Sequence, residues 1–525
     1  MRILIAEPLA PGGVNLLKEQ AGWEVIVSNS KEYEQYLPEA DALMVRSGLI
    51  VDAAVLAKAP KLRVIGRAGV GVDNVDIPAA TAAGVLVMNT PGGNAVSVAE
   101  HTIALMLSMA RSIPAANAST KAGKWERRKF VGTELRGKTL GVVGLGSIGR
   151  EVVKRAAAFE MRIIANDPYV NSQTAKSVGV ELVSLPTLYA ESDYITLHTA
   201  LTPESNRMLN AEAFSLMKRG ARVINCARGE LIDQAALADA LASGKLGGAA
   251  LDVFIEEPPR TGDPLLMLDS LVATPHIGGA TEEAQEIVAM RLAQHVIDFL
   301  QNGVALQAVN LPALTPEQYK TLGPYSNLAE RLGSFASHIA TGNPHTVRLV
   351  YFGRIAEQNT HLVRNAGVAG ALQRSFAHKA NSVNAMQIAA DRGITVAERH
   401  DTRSAHIDSV RLELETDSGL TAVEGAVVLD HPRLLQVNAI HCEAPLAGNL
   451  TFLEHEDVPG VLGHVGSVLG ENGINIATLS LGRKKAGADA ISVVQTDQPV
   501  PENVLAKLLK NPALKRAMPV KFGLL

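Results

Sequence analysis

The sequence feature that most constrains the fold is a glycine-rich turn between a short apolar run and a helical pattern. The run Thr139–Val143 is followed directly by Gly144, Gly146 and Gly149. This order predicts a buried strand, a tight turn and a helix over 147–159. The first glycine would permit the turn, the second would let a bound group approach the backbone, and the third would let the helix lie close to the strand.

Similar apolar runs alternate with helix-length segments from Met1 to Asn310, which predicts parallel strands joined by helices. The runs are 139–143, 162–165, 194–198, 223–226, 249–252 and 271–274. We expect two such strand–helix units, one over 1–98 and a second that begins near residue 99. A helix predicted over 281–300 would return the chain to the first of them.

Asp167 lies at the end of the strand predicted after the glycine turn, about twenty residues downstream. A carboxylate there can accept hydrogen bonds from both hydroxyls of a ribose, while the N–H groups that begin the preceding helix attract a diphosphate. The same carboxylate would repel a 2′-phosphate. The pattern therefore predicts a dinucleotide site that takes NAD rather than NADP.

Three further polar motifs follow predicted strands, and they contain Arg228, Glu257 and His276. In open α/β sheets the carboxyl ends of the strands carry the ligand site, so we expect these side chains to lie close together. Oxidation of a secondary alcohol needs a base for the hydroxyl proton and a cation for a neighbouring carboxylate, and an acid helps to orient the base. We predict that His276 is the general base, that Glu257 orients it and that Arg228 binds a substrate carboxylate.

Composition limits the other function classes. The 525 residues exceed one hydrophobic core, and a net charge of -4 gives no basic field for nucleic acid. The two cysteines, Cys226 and Cys442, are too few for a disulfide framework or a cysteine metal site and suit a reducing compartment. The apolar segment 102–110 is too short to span a bilayer, and the chain opens on a predicted strand rather than a targeting segment. We therefore expect a cytoplasmic protein without metal, nucleic-acid or membrane partners.

The remainder of the chain divides at two predicted linkers. Two prolines within 310–316 indicate the first, and 445–448 indicates the second. The region 317–447 between them carries no recognisable catalytic motif. From Leu450 the predicted order is strand, helix, strand, strand, helix, strand, which is typical of a ferredoxin-like unit.

Over about residues 1–310 the chain resembles the D-isomer-specific 2-hydroxyacid dehydrogenases. The motifs that carry the resemblance are Gly66-Arg-Ala-Gly-Val-Gly-Val-Asp73-Asn74, Asn89-Thr-Pro-Gly-Gly-Asn94, the glycine turn, Asn225-Cys-Ala-Arg228-Gly, Asp252-Val-Phe, Glu257-Pro-Pro and Pro275-His276. The resemblance implies a Rossmann-type, doubly wound parallel-sheet catalytic part with a discontinuous lid domain. The lid would comprise 1–98 and 286–310, and the NAD-binding domain would comprise 99–285.

The family resemblance also assigns roles to residues. It implies that NAD is bound by the three glycines of the turn and Asp167, together with Val70, Ser147, Ile148, Thr199, Cys226, Arg228, Asp252, His276, Gly278 and Gly279. For a substrate phosphate the candidates are Arg46, Arg67 and Asn94, since the planar guanidinium of arginine can bond two phosphate oxygens at once.

Within the family, Gly123-Lys-Trp125-Glu-Arg-Arg-Lys-Phe and the long tail resemble the members that oxidise D-3-phosphoglycerate to 3-phosphohydroxypyruvate, the first step of L-serine biosynthesis. Two alternatives stay open. The substrate would be glyoxylate, 2-oxoglutarate or another small oxoacid in the first, and the chain would be a ligand-sensing corepressor in the second. Arg46 and Arg67 favour the phosphorylated substrate, and the retained arginine, acid and histidine favour an enzyme.

The C-terminal regions resemble regulatory modules. The α+β region 317–447 resembles the intervening, allosteric substrate-binding domain of long family members, and 448–525 resembles an ACT domain through the segments 453–460 and 473–476. The resemblance implies a homodimer or homotetramer. We predict L-serine as an effector at an interface between two ACT domains, held by His455, Asp457 and Asn475; the alternative is that Asp457 only caps a helix and the tail only joins subunits.

Overall fold

The computed structural model describes residues 1–374, 380–402 and 407–523. The chain divides into two compact units. The first unit contains Met1–Pro8, Val14–Asn89 and the residues from Leu292 onward, and the second contains Leu9–Gly13 and Thr90–Arg291. Among the described residues, no helix combines the length and apolarity needed to cross a membrane.

The first unit opens with a five-stranded parallel sheet in the order β2-β1-β3-β4-β5. Its strands are β1 (Arg2–Ile5), β2 (Glu24–Val27), β3 (Ala42–Val45), β4 (Val64–Arg67) and β5 (Leu86–Met88). The helices of this part of the chain are α1 (Pro11–Lys18), α2 (Ala53–Ala57) and α3 (Ile77–Ala82). Asp52 and Asp76 begin α2 and α3 by accepting hydrogen bonds from backbone N–H groups of the first turn.

The second unit contains a seven-stranded parallel sheet in the order β12-β11-β10-β9-β6-β7-β8. The strands are β6 (Thr139–Val143), β7 (Arg162–Asn166), β8 (Glu181–Leu182), β9 (Tyr194–Leu197), β10 (Ala221–Asn225), β11 (Leu246–Leu251) and β12 (Leu271–Ala273). The helices of this part of the chain are α4 (Ala95–Ala110), α5 (Ile113–Lys121), α6 (Ser147–Ala158), α7 (Ser172–Ser177), α8 (Leu185–Glu191), α9 (Ala211–Leu216), α10 (Gln234–Ala242) and α11 (Glu282–Asn302). Every residue of β6 and β9 is buried, as a doubly wound parallel sheet requires. The predicted Rossmann-type fold is confirmed.

The chain after α11 is tied to the edge of the first sheet before the next helix begins. The Asn310 side chain accepts a hydrogen bond from the Val87 N–H (2.9 Å), and the Val309 N–H donates to the Val87 carbonyl (2.7 Å). Pro316, which the sequence assigns to a linker, is the first residue of α12 (Pro316–Ile339). Proline suits this position because its missing N–H has no partner in the first helical turn.

A third sheet follows in the first unit, with strand order β14-β13-β15-β16-β17-β18. Its strands are β13 (Pro344–Phe352), β14 (Thr395–Asp401), β15 (Ser409–Thr416), β16 (Gly419–Val428), β17 (His431–Val437) and β18 (Ile440–Pro445). Only the β13–β14 pair is parallel. The remaining helices of this region are α13 (His361–Leu372) and α14 (Ala385–Asp391). The predicted α+β character is confirmed.

The fourth sheet is antiparallel, in the order β20-β21-β19-β22. It is built from β19 (Asn449–Glu456), α15 (Val461–Glu471), β20 (Ile476–Arg483), β21 (Asp489–Thr496), α16 (Glu502–Leu508) and β22 (Leu514–Lys521). This is the ferredoxin-like order that the sequence predicts.

The fourth sheet shares a hydrophobic core with α12 and the third sheet. The Phe335 and Phe452 rings lie 5.7 Å apart in an edge-to-face arrangement, and both side chains are fully buried. Leu446, in the segment predicted as a linker, is also fully buried, and its carbonyl accepts a hydrogen bond from Arg331 (2.6 Å). The segment 445–448 is therefore part of a packed interface rather than a free linker.

Helices α12 and α13 pack closely because glycines stand where they meet. A Cβ atom at Gly333 would collide with the Gly367 carbonyl oxygen, and one at Gly370 would collide with the Glu330 carbonyl oxygen. The absence of side chains at these positions lets the two backbones approach each other.

We expect Gly370→Ala to destabilise the protein, because the new methyl group would push α13 away from α12. Overpacking of this kind costs about 1–3 kcal/mol, which outweighs the roughly 1 kcal/mol of helix propensity gained by replacing glycine. The matched control is Gly463→Ala in α15, where no atom of the described residues lies within 4 Å of the added methyl position. Thermal unfolding followed by circular dichroism should give a lower midpoint for Gly370→Ala alone. Equal midpoints for the two variants would contradict the close packing of α12 and α13.

Candidate active site

The glycine turn between β6 and α6 has the geometry that each glycine is expected to provide. Gly144 has a φ of 95°, and a Cβ atom there would lie 2.5 Å from the His198 carbonyl oxygen. A Cβ atom on Gly149 would collide with the Gly144 carbonyl oxygen. Around Gly146, by contrast, no atom in the described ranges other than those of Gly146 and its two chain neighbours lies within 4 Å of the Cβ position. The second glycine therefore leaves its side of the backbone open at the N-terminus of α6, where a diphosphate would bind.

Asp167 follows β7 and holds the turn through its carboxylate. Oδ2 accepts a hydrogen bond from the Leu145 N–H (2.7 Å), and Oδ1 accepts one from the Tyr169 N–H (2.8 Å). Each carboxylate oxygen keeps a second acceptor site for a ribose hydroxyl. Ser147 and Ile148 are the first residues of α6, and Thr199 follows His198 beyond the end of β9. These residues fit a bound dinucleotide.

His276 and Glu257 form the hydrogen-bonded pair that the sequence predicts. The Nδ1 atom of His276 lies 2.7 Å from the Glu257 carboxylate, whose other oxygen accepts the Phe254 N–H (3.0 Å). Because Nδ1 is occupied in this way, proton exchange with a substrate has to use Nε2. The imidazole is half exposed, with 51% of the side chain accessible.

The loop that carries Arg228 is organised by Asn225, which is fully buried. The Asn225 amide donates to the Arg228 carbonyl (2.8 Å), and its oxygen accepts the Ala227 N–H (3.0 Å). The Arg228 guanidinium donates to the Ala227 carbonyl (2.7 Å). Gly229 lies against the backbone of Phe254, so the loops that carry Arg228 and Glu257 are in contact.

Asp252 is hydrogen-bonded to the turn that contains His276. It is 1% exposed, and its two carboxylate oxygens accept the N–H groups of Ile277 (2.9 Å) and Gly278 (2.8 Å). Burial alone would raise the pKa of Asp252, but hydrogen bonds from His101, Thr274 and the two N–H groups outweigh it and lower the pKa. The carboxylate therefore stays ionised while it holds the turn.

Two other residues at this edge of the sheet are neutral because they are buried. Burial raises the pKa of the Cys226 thiol to about 12. The thiol therefore packs as an apolar group and is not a nucleophile. Burial lowers the pKa of His198 to about 3, and its Nε2 atom lies 2.9 Å from the Thr196 hydroxyl. Neither side chain carries charge at neutral pH.

Asn94 lies in the second unit at the start of α4, beside the turn of His276. A Cβ atom on Gly279 would lie 2.7 Å from the Asn94 amide nitrogen. The Asn94 side-chain oxygen is buried and has no hydrogen-bond partner within the part of the chain that the structure describes. An acceptor in this position is available to a ligand.

Arg46 and Arg67 belong to the first unit, where they stand at the carboxyl ends of the adjacent strands β3 and β4. Asn74 bridges them: its amide donates to the Arg46 carbonyl (2.8 Å), and its oxygen lies 3.5 Å from Arg67 Nε. The Glu7 carboxylate accepts the N–H groups of Arg46 (2.6 Å), Gly48 (3.0 Å) and Leu49 (3.2 Å). The sequence assigns no role to Glu7, although Glu7 is a polar residue placed just after β1, and Asn74 appears only within a family motif.

Val70 also belongs to the first unit, and its carbonyl accepts a hydrogen bond from the Asn89 amide (2.5 Å). The Asn89 side chain thus holds the Val70 backbone, and the valine side chain itself offers no hydrogen bond.

Each of the three candidate effector residues has hydrogen-bond partners of its own. His455 is 2% exposed, and its ring nitrogens lie 2.8 Å from the Glu456 carbonyl and 2.9 Å from the Ser492 hydroxyl. Asn475 donates to Asp497 (2.9 Å).

Asp457 pairs with Arg483 (2.7 Å) and accepts the Gly487 N–H (3.2 Å), and these bonds lower the pKa of the carboxyl. The residue before α15 is Gly460, and no side chain caps the helix there. Asp457 therefore does not cap α15.

Family models match three stretches of the chain. These are the D-isomer specific 2-hydroxyacid dehydrogenase NAD binding domain (103–278), the D-3-phosphoglycerate dehydrogenase intervening domain (321–438) and the ACT domain (450–513). The first of them spans the seven-stranded sheet and makes NAD the cofactor.

The chain is similar along almost its whole length to proteins named D-3-phosphoglycerate dehydrogenase. It is 42% identical to that of Methanocaldococcus jannaschii, with 98% of both chains covered. It is 38% identical to that of Bacillus subtilis, with 97% of this chain and 98% of the relative covered.

Solved structures match the catalytic part of the chain. The TT0316 protein of Thermus thermophilus is 37% identical, with a TM-score of 0.55, and the match covers 59% of this chain and 100% of that one. A D-lactate dehydrogenase of Aquifex aeolicus, complexed with NAD and lactic acid, is 29% identical, with a TM-score of 0.52 and coverage of 60% and 100%. The chain therefore belongs to the D-isomer specific 2-hydroxyacid dehydrogenase family, among the members that continue into an intervening domain and an ACT domain.

Proposed function

We propose that the chain oxidises D-3-phosphoglycerate to 3-phosphohydroxypyruvate with NAD, the reaction that begins L-serine biosynthesis. The observation that carries the proposal is the 2.7 Å hydrogen bond between His276 and Glu257, at the same edge of the sheet as the glycine turn that fits a dinucleotide. The similarity to D-3-phosphoglycerate dehydrogenases over 98% of the chain supports the choice of substrate. The same similarity supports a cytoplasmic enzyme.

Held by the glycine turn and Asp167, NAD would supply the acceptor for the hydride that leaves the carbon bearing the substrate hydroxyl. His276 takes the hydroxyl proton on Nε2, and the Glu257 carboxylate stabilises the imidazolium through its hydrogen bond to Nδ1. Arg228 binds the substrate carboxylate next to the reacting carbon. Loss of the hydride and the proton converts the 2-hydroxyacid to a 2-oxoacid.

The substrate phosphate is assigned to Arg46 and Arg67, with Asn94 as an additional contact. Glu7 and Asn74 support this assignment, since both bond the backbone of Arg46 and Asn74 also contacts the Arg67 side chain. Groups that are held in place before binding lose less freedom when the ligand binds.

We propose four domains, one for each sheet. We place the lid at 1–98 with 286–310, the NAD-binding domain at 99–285, the intervening domain at 317–447 and the ACT domain at 448–525. Each of these ranges contains one complete sheet. We further propose that the enzyme is a homodimer or homotetramer.

Replacing the proposed base should mainly lower kcat. His276→Ala removes a proton transfer that typically contributes about 10² to 10⁴ in rate. Glu257→Gln should keep activity at high pH and shift the lower limb of the pH–rate profile to lower pH, because a neutral amide stabilises the imidazolium less. The measurement is initial NADH formation between about pH 4.5 and pH 8.5, roughly two units on either side of the histidine reference value. A near-normal kcat in His276→Ala would exclude the assigned role.

Removing a phosphate contact should discriminate between substrates. Arg46→Ala or Arg67→Ala should raise KM for D-3-phosphoglycerate by a factor corresponding to about 1.5–3 kcal/mol and should change KM for an unphosphorylated 2-hydroxyacid much less. Arg136→Ala is the control, since Arg136 is an exposed arginine paired with Glu160 in the second unit. An equal rise in KM for both substrates would show that the arginines do not bind the phosphate.

L-Serine is the proposed effector of the ACT domain, with Asp457 facing its ammonium group and Asn475 its carboxylate or hydroxyl. Serine would have to compete with the Arg483 and Asp497 partners of these residues, and the buried His455 would act only by supporting β19. Calorimetric titration of serine into the full chain should show binding that Asp457→Ala weakens about tenfold. Asp489→Ala, which removes another exposed aspartate of this sheet, should have no effect. Absence of binding at millimolar serine, which corresponds to about −4 kcal/mol, would refute the proposal.

A further inference from the structure

We infer that His101 is a positioning residue for the general base, acting on His276 through Thr274 and Asp252. The inference rests on the proposed role of His276 and adds a group that makes no contact with the His276 ring. All four residues belong to the second unit.

The backbone of His276 has an uncommon conformation. Its φ of 54° lies in the left-handed region, which a residue with a Cβ atom adopts only when its surroundings hold it there. The His276 N–H donates to the Asp252 carbonyl (2.8 Å), and the next two N–H groups donate to the Asp252 carboxylate. Asp252 thus fixes three consecutive N–H groups of the turn.

The Asp252 side chain is held by two neighbouring side chains, Thr274 and His101. The Thr274 hydroxyl donates to its Oδ1 (2.6 Å), and His101 Nε2 lies 3.2 Å from the same oxygen. His101 Nε2 also lies 3.0 Å from the Thr274 oxygen. Since the hydroxyl proton of Thr274 is directed to Asp252, both neighbours of Nε2 are acceptors, and His101 must carry hydrogen on that nitrogen.

Helix α4 contacts both ends of the segment that contains His276. His101 lies on α4, one helical turn after Ser97, and the Ser97 hydroxyl lies 2.7 Å from the Thr281 hydroxyl. One face of α4 therefore contacts both ends of the segment 274–281. Only the His101 contact reaches the Asp252 carboxylate, which makes Ser97 a matched control on the same helix.

The consequence is specific to the chemical step. Without the His101 donor, Asp252 loses one of the bonds that set its orientation, and the turn that presents His276 to Glu257 becomes less restricted. Small displacements of a catalytic group lower the rate while leaving remote binding contacts intact. The role of His101 is thus to keep the imidazole of His276 oriented for its hydrogen bond with Glu257.

The test compares variants that remove or keep the donor. His101→Met keeps the bulk and removes the N–H group, and it should lower kcat about tenfold while the KM for D-3-phosphoglycerate, whose proposed phosphate contacts Arg46 and Arg67 are far from α4 in sequence, changes little. His101→Gln places an amide N–H near the position of Nε2 and should recover much of the loss. Thr274→Val and Thr274→Ser form a second pair with the same expected contrast. Ser97→Ala should retain wild-type kcat, and thermal unfolding of each variant measures its folding.

A double-mutant cycle separates this role from general damage. In a His276→Ala background, His101→Met should cause no further loss, because the residue acts only through His276. Equal fold losses in both backgrounds, or wild-type kcat in His101→Met, would overturn the inference alone. A near-normal kcat in His276→Ala itself would overturn the proposed function as well, so the two failures are distinguishable.

Discussion

The active-site edge of the second unit depends on the parallel ladder of its seven strands. Because neighbouring strands run in the same direction, all of their carboxyl ends meet at one edge, and every crossover helix starts from that edge. The glycine turn, Asp167, Arg228 and the Asp252–His276 region each follow a strand of this ladder. Residues that are far apart in sequence are thereby brought to one edge, where a dinucleotide and a hydroxyacid can bind side by side.

Both units use a carboxylate placed just after a parallel strand to shape a neighbouring loop. In the first unit Glu7 follows β1 and accepts three backbone N–H groups of the loop after β3. In the second unit Asp252 follows β11 and accepts two N–H groups of the loop after β12. A carboxylate can accept several hydrogen bonds at once, so one side chain replaces the strand pairing that the loop backbone has lost. The loops that carry Arg46 and His276 are ordered by the same device.

Sequence patterns predict the local parts of this site well. The three glycines and Asp167 obey a spacing that follows from the geometry of one strand–turn–helix unit, and the pairing of His276 with Glu257 follows from the chemistry that a base requires. His101 and Glu7 escape such reasoning because their contacts are non-local: His101 meets Thr274 across 173 residues, and Glu7 meets Arg46 across 39. No short window of the sequence contains both partners of either contact.

The C-terminal half shows a second limit of sequence reasoning. The segment 445–448 has the composition of a linker, yet Leu446 is fully buried because residues of α12 cover it. His455 has the polarity of a ligand, yet it is buried within β19, a strand with both faces covered, so alternation does not show which side chains reach solvent. Burial by other modules is a tertiary property, and composition does not record it.

The most direct test of the account compares two substrates that differ only by the phosphate. Initial rates of NADH formation should be measured for D-3-phosphoglycerate and D-glycerate with the wild-type chain. The account predicts a much higher kcat/KM for D-3-phosphoglycerate, by a factor on the order of 10² or more, as expected when two charge-assisted contacts are lost together. Equal kcat/KM values for the two acids, or no NADH formed from either, would contradict it.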